Sequence, residues 1–133
     1  MNEIAIGLCG TATVQVTPAN TAVALGSGDV PVFGTPALVA LMEQAAVRAL
    51  AGRLKEGETT VGTWIEVSHL AATPMDMEVR AEAELTAIQG RQLTFVVRAY
   101  DSHERIGEGK HHRAIVGRER FLLRIGEKRG TLA

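Results

Sequence analysis

Between Met75 and Ala87 apolar and polar residues alternate without a break. Met75, Met77, Val79, Ala81, Ala83, Leu85 and Ala87 fall on one side, and Asp76, Glu78, Arg80, Glu82, Glu84 and Thr86 on the other. A period of two marks a strand with one buried face. After a turn at Gln89-Gly90-Arg91 the pattern resumes, with Leu93, Phe95, Val97 and Ala99 inward. Asp101–Arg105 turns the chain again, into a long last strand expected from Ile106 to about Ile125. Upstream, Val61, Thr63, Ile65, Val67 and His69 share one face of a strand over Val61–His69. Gly7 to Thr17 alternates weakly and reads as a strand with Gly10 at a bulge.

The period changes between Ala37 and Ala51, where the only polar residues are Glu43, Gln44 and Arg48. A helix apolar nearly all round is a buried helix. Thr35-Pro36 starts it, with Thr at the N-cap and Pro at the first helical position; Gly52 or Gly57 ends it. Pro18 to Pro31 is turn-rich, with a short helical piece over Ala19–Leu25 and a flexible break at Gly26-Ser27-Gly28-Asp29. Antiparallel strands with one wet face need something laid across the apolar one. The order strand, helix, four strands therefore predicts an α+β fold, a curved antiparallel sheet wrapped around one long central helix, with residues 1–133 as one domain. The sheet offers more apolar surface than one helix covers, which predicts a homodimer or a higher oligomer.

Composition narrows the function classes. The net charge of −1 builds no field for nucleic acid or an anionic membrane. Lys110, Arg113, Arg118, Arg120, Arg124, Lys128 and Arg129 gather near the C-terminus, as a solvated face and basic tail or as a local site for a phosphorylated ligand. Cys9 is the only cysteine, expected as a small core residue in a reducing cytoplasm. No zinc-binding spacing occurs, and no run approaches the ~18 apolar residues of a membrane helix. The expectation is a soluble cytoplasmic protein without a bound metal.

Two residues stand out chemically. Glu43 is a lone carboxylate in the most apolar helix, where burial costs several kcal/mol unless the group is protonated or paired. His69 shares a face with Ile65 and Val67 and so points at that helix. It reads as a core histidine bonded to backbone, or as an acid/base partner whose basicity Glu43 raises. Thr35 reads as an N-cap hydroxyl, or as a nucleophile or donor beside a reacting group. Eight residues separate Thr35 from Glu43, a rise of ~12 Å along a helix, so either Thr35 lies off the helix proper or a site draws on two subunits. The helix N-terminus suits an oxyanion. Gly62 allows close approach of a chain or ligand, or marks a sheet kink. His111 and His112, as strand neighbours, point to opposite faces and read as polar strand residues rather than metal ligands.

From Gly34 to about Phe121 the chain resembles the hot-dog-fold thioesterases of the fluoroacetyl-CoA thioesterase-like group. The resemblance rests on Leu41-Met42-Glu43, Ala46-Val47-Arg48-Ala49, Gly62-Thr63, Val67-Ser68-His69 with Ala71-Ala72-Thr73-Pro74, and His112-Arg113-Ala114-Ile115, supported by Arg80 to Leu85 and Gly90-Arg91. It implies a hot-dog fold and hydrolysis of an acyl-CoA thioester, with no cofactor other than coenzyme A as part of the substrate. It implies Thr35, Glu43 and His69 as the catalytic set, Gly62 and Arg113 at the ligand site, and a homodimer with sites at the subunit interface. Bulky aromatics that cover the acyl group in the fluoroacetyl-specific enzyme have no counterpart in Ala24–Asp29.

The resulting expectation is a small-acyl-CoA thioesterase. Arg113, Lys110 and Arg118 would meet the CoA phosphates, and Glu43 would move the pH limb of His69 upward. The rivals are a hot-dog hydratase or dehydratase and a non-enzymatic acyl-CoA-binding dimer. The acyl group, and the choice between coenzyme A and an acyl carrier protein, stay open.

Overall fold

The computed structural model describes residues 3–130. In chain order its elements are β1 (Cys9–Gln15), a 3-10 turn (Pro18–Asn20), α1 (Ala22–Leu25), α2 (Thr35–Ala49), β2 (Glu58–His69), β3 (Glu78–Gln89), β4 (Gln92–Tyr100), β5 (Arg105–Gly117) and α3 (Arg118–Gly130). The five strands form one antiparallel sheet in the order β1-β3-β4-β5-β2. The alternation sets its inner face: Val79, Ala81, Ala83 and Leu85 of β3 and Leu93, Phe95, Val97 and Ala99 of β4 are all buried. Leu38, Leu41, Met42, Ala45, Ala46 and Ala49 of α2 pack against them. This is the expected sheet curled around one central helix.

Four local expectations are corrected. Gly10 sits at no bulge, since β1 pairs with β3 in unbroken register from Cys9 to Gln15. It is glycine because a Cβ there would run into the backbone of Ala45 and Ala49 in α2, so its missing side chain sets how closely helix and sheet approach. Cys9 is exposed rather than in the core, being on the outward parity of β1. The central helix is not buried all round: Ala40, Gln44, Val47 and Arg48 face outward. The last strand stops at Gly117, opposite Glu58, where its neighbour β2 begins. With no strand left to pair, residues 118–130 form a helix, with Glu119 in its first turn and Lys128 and Arg129 in its last. That placement complements the helix dipole.

Strand β2 departs from simple alternation in the way that matters most for function. Its register with β5 shifts between Gly62 and Trp64, so Thr63 is an extra residue in a bulge. Inward positions run Ile65, Val67, His69 beyond the bulge, but Thr60 and Gly62 before it. Gly62 therefore stands opposite Arg113, while Trp64 turns outward and stacks on His112 with ring centroids 4.6 Å apart.

Candidate functional site

Thr35 is the first residue of α2, and Gly34, not Thr35, occupies the N-cap. Freed from capping, its hydroxyl lies 2.7 Å from His69 Nδ1. His69 is the last residue of β2, and the next residue is tied down by a 2.7 Å bond from Leu70 N to the Ile106 carbonyl. A short helix start and a strand end are thus brought together by the wrap of the sheet. The rest of the surroundings comes from the segment before α2, where Phe33 N donates to the Thr73 carbonyl and Gly34 N to the Asn20 carbonyl. A cavity of about 340 Å³ opens beside the pair, lined among others by Ala22, Ser27, Phe33, Ala71 and Ala72. Burial pushes the imidazole pKa of His69 below its ordinary value, so the ring is neutral near pH 7 and can accept a proton. Its Nε2 is enclosed and has no hydrogen-bond partner.

Glu43 lies elsewhere. Its side chain is 40% exposed, and Oε2 is 3.6 Å from Arg113 Nη1 and 3.9 Å from His111 Nε2. No hydrogen bond or ion pair joins it to His69 within the described residues. The expected Glu43–His69 contact in one chain is therefore absent, and so is the upward push on the His69 pKa. Glu43 opens instead onto a groove of about 680 Å³ with Val14, Asn20, Ala37, Val47 and Arg113. Phe33 lines both this groove and the cavity beside Thr35.

Gly62 belongs to the Glu43 cluster, because a Cβ there would lie 2.7 Å from Glu43 Oε2 and 3.3 Å from Arg113 Nη1. Arg113 is buried. Its Nε donates to Thr60 Oγ1 at 2.9 Å, Nη2 to the Thr60 carbonyl at 3.1 Å, and Nη1 to His111 Nε2 at 3.1 Å. Burial lowers its pKa, and Glu43 opposes that shift. Arg113 does not join Lys110 and Arg118 in one basic cluster. Lys110 has the opposite parity on β5 and lies in an outer depression with Glu66, Arg98 and Arg105, and Arg118 begins α3.

His111, expected as an ordinary polar strand residue, is 1% exposed and is part of the Glu43 cluster. Its signal in the sequence was its parity: it sits two positions before Arg113 and so on the same face. His112 does face outward, against Trp64. Among the described residues no three His, Cys, Asp or Glu side chains stand close enough to hold a metal ion.

A curled antiparallel sheet wrapped on one long helix is the hot-dog fold, and the solved structures it superposes on are hot-dog thioesterases. Within that class the chain belongs to the fluoroacetyl-CoA-specific thioesterase family, whose pattern matches residues 16–119. It is 44% identical over 97 residues to the fluoroacetyl-CoA thioesterase of Streptantibioticus cattleyicolor, covering 73% of this chain and 70% of that one. A crystal structure of a variant fluoroacetyl-CoA-specific thioesterase in complex with fluoroacetate and CoA superposes with a TM-score of 0.82 at 39% identity, over 89% of this chain and 99% of that one. A thioesterase superfamily member from Thermus thermophilus gives a TM-score of 0.88 at 29% identity, with both chains fully covered.

Proposed function

We propose that this protein hydrolyses small acyl-CoA thioesters to the free acid and CoA, with Thr35, His69 and Glu43 as the catalytic set. The observation that carries this reading is the 2.7 Å bond between Thr35 Oγ1 and His69 Nδ1. With the ring neutral, Nδ1 accepts the proton released as Thr35, or a water that Thr35 orients, attacks the thioester carbonyl. The developing oxyanion lies at the N-terminal end of α2, where first-turn N–H groups lack helical partners and the dipole is positive. Collapse of the adduct expels the CoA thiolate, which takes the proton from the imidazolium. Where Thr35 is the nucleophile, a water that passes its proton to the same imidazole then hydrolyses the acyl-Thr35 ester, releasing the acid and restoring the hydroxyl. None of these steps calls on a metal or redox cofactor. The cavity beside Thr35, about 340 Å³ and walled partly by alanines, suits a short acyl chain.

Two further features support a homodimer that completes the site. Strand β2 is a sheet edge of 12 residues with Trp64 exposed on it, and an unpaired edge of that length invites a second strand. Glu43 is half-exposed and does not meet its own His69. In this reading Glu43 of one copy faces the Thr35–His69 pair of the other across the bound thioester. Gly62 serves the site by leaving room for that carboxylate, and Arg113 lies beside it at 3.6 Å. No helix among the described residues is long and apolar enough to cross a membrane; the proposed setting is the cytoplasm.

The activity is tested with a panel of short, branched and aryl acyl-CoAs and detection of the free thiol. The expected result is turnover of one or more small acyl-CoAs that Thr35→Ala largely abolishes. Equal thiol release by wild type and Thr35→Ala across the panel would remove the reading.

A further inference from the structure

His111 takes no step in the reaction above, though its Nε2 lies 3.9 Å from Glu43 Oε2, and its two ring nitrogens are both committed. Nδ1 lies 2.9 Å from the Trp64 carbonyl, which can only accept, so Nδ1 carries the hydrogen. Nε2 lies 3.1 Å from Arg113 Nη1, which can only donate, so Nε2 is bare. Only the neutral Nδ1–H tautomer satisfies both. The charged groups acting on the ring are Glu43 from α2 and Arg113 from β5, with His112 as a titratable neighbour on β5. Strand β4 contributes Phe95, its ring tilted at 6.3 Å. Protonation would set an N–H against the guanidinium N–H and break the arrangement.

The lone pair has a consequence for Glu43. Arg113 Nη1 stands between two acceptors, His111 Nε2 at 3.1 Å and Glu43 Oε2 at 3.6 Å. The closer one is the neutral ring. We propose that His111 is a positioning residue: by accepting from Nη1 it keeps the guanidinium from closing onto Glu43, so the carboxylate stays free to face the substrate. Without that acceptor, Nη1 would turn to the carboxylate as its only remaining partner. A closed ion pair would draw the carboxylate out of the space that Gly62 leaves for it. This inference rests on the proposed catalytic role of Glu43.

Two substitutions separate the two ring contacts. His111→Asn places an amide nitrogen where Nδ1 was, keeping the Trp64 bond and losing the acceptor for Arg113. His111→Gln places an amide oxygen near the Nε2 position and keeps that acceptor. The expected result is kcat lowered about 10-fold or more in His111→Asn with KM changed less than about 3-fold, and His111→Gln within about 3-fold of wild type. In a Glu43→Gln background His111→Asn should add little further loss. Nitrogen-15 spectra of wild-type protein should show the neutral Nδ1–H tautomer at neutral pH. Equal activity of the Asn and Gln variants, or an Nε2–H tautomer in the wild type, would overturn the proposal while leaving Glu43 in its role. An unimpaired Glu43→Gln enzyme would overturn both readings.

Discussion

Replacing Gly62 by alanine adds one methyl group at the spot where the Glu43 carboxylate rests. The new Cβ would lie 2.7 Å from Glu43 Oε2, against 3.3 Å for both Arg113 Nη1 and His111 Cε1. Ordinary contact begins several tenths of an ångström further out, so something must move. Arg113 is held by Thr60 and His111 on three nitrogens and cannot retreat cheaply. Glu43 is the end of a flexible, 40% exposed side chain and can. The methyl group therefore displaces the carboxylate rather than the fold. The backbone at Gly62 is not in the left-handed region, so alanine is tolerated there and restricts the unfolded chain by a contribution of about 0.4–1 kcal/mol. Thermal unfolding should occur at the wild-type temperature or slightly above it. A catalytic group displaced by a sizeable fraction of an ångström loses much of its rate, on the order of 10- to 100-fold in kcat. Steady-state thiol release and a melting curve on the same preparation read both quantities. Wild-type kcat in a well-folded Gly62→Ala protein would refute the placement of Glu43 as a working group.

Thr35→Ala should lower kcat by about 100-fold or more while costing no more than about 1.5 kcal/mol of stability, the worth of the lost bond to His69, because the N-cap is Gly34 and no capping bond is lost; a larger fall in stability would make Thr35 structural. Arg113→Met leaves Thr60 Oγ1 and His111 Nε2 without a donor, at about 1–3 kcal/mol each. Its activity loss should be the same on an acyl-CoA and on a truncated thioester lacking the nucleotide, whereas a loss confined to the CoA substrate would return Arg113 to the phosphates. The acid limb of the pH–rate profile should lie lower in Glu43→Gln than in wild type, because burial lowers the His69 pKa and the partner's Glu43 opposes that shift in the proposed dimer; identical limbs would place Glu43 away from His69. The half-buried His69 and the buried His111 both stay neutral where their unfolded counterparts protonate. Stability should therefore decline as pH drops below 6.5, until the folded-state values are reached; melting temperatures flat from pH 7 to 5 would contradict this.

The sheet was legible because its alternation holds where it counts: the residues expected inward on β3 from Val79 to Leu85 and on β4 are buried, whereas Met75, also expected inward, precedes β3 and is exposed, and the pairing with β4 shifts register between Leu85 and Ala87. The helix was legible in extent but not in orientation. Alanines at 37 and 40 are compatible with either face, so composition alone could not show that Glu43 lies at the rim of a groove rather than in the core. The bulge at Thr63 was not visible either, and it exchanges the inward residues of β2, bringing Thr60 and Gly62 under Arg113. The last helix carries no helical signal strong enough to end the strand pattern, and nothing in the sequence around Gly117 marks the point where β2 runs out and pairing stops. His111 could have been found by carrying the parity argument through to Arg113. The separation of Thr35 from Glu43 along the helix, by contrast, was visible in the spacing and is retained in the structure, where the two line different openings.

A site shared between subunits is best tested by mixing two dead proteins. Thr35→Ala and Glu43→Gln are each purified, then unfolded and refolded together so that subunits exchange. If Glu43 serves the partner's Thr35–His69 pair, a mixed dimer has one site carrying both lesions and one carrying neither. Random pairing then restores about a quarter of wild-type activity. If each chain builds its own complete site, every site in the mixed dimer carries a lesion, and the mixture stays as inactive as its components.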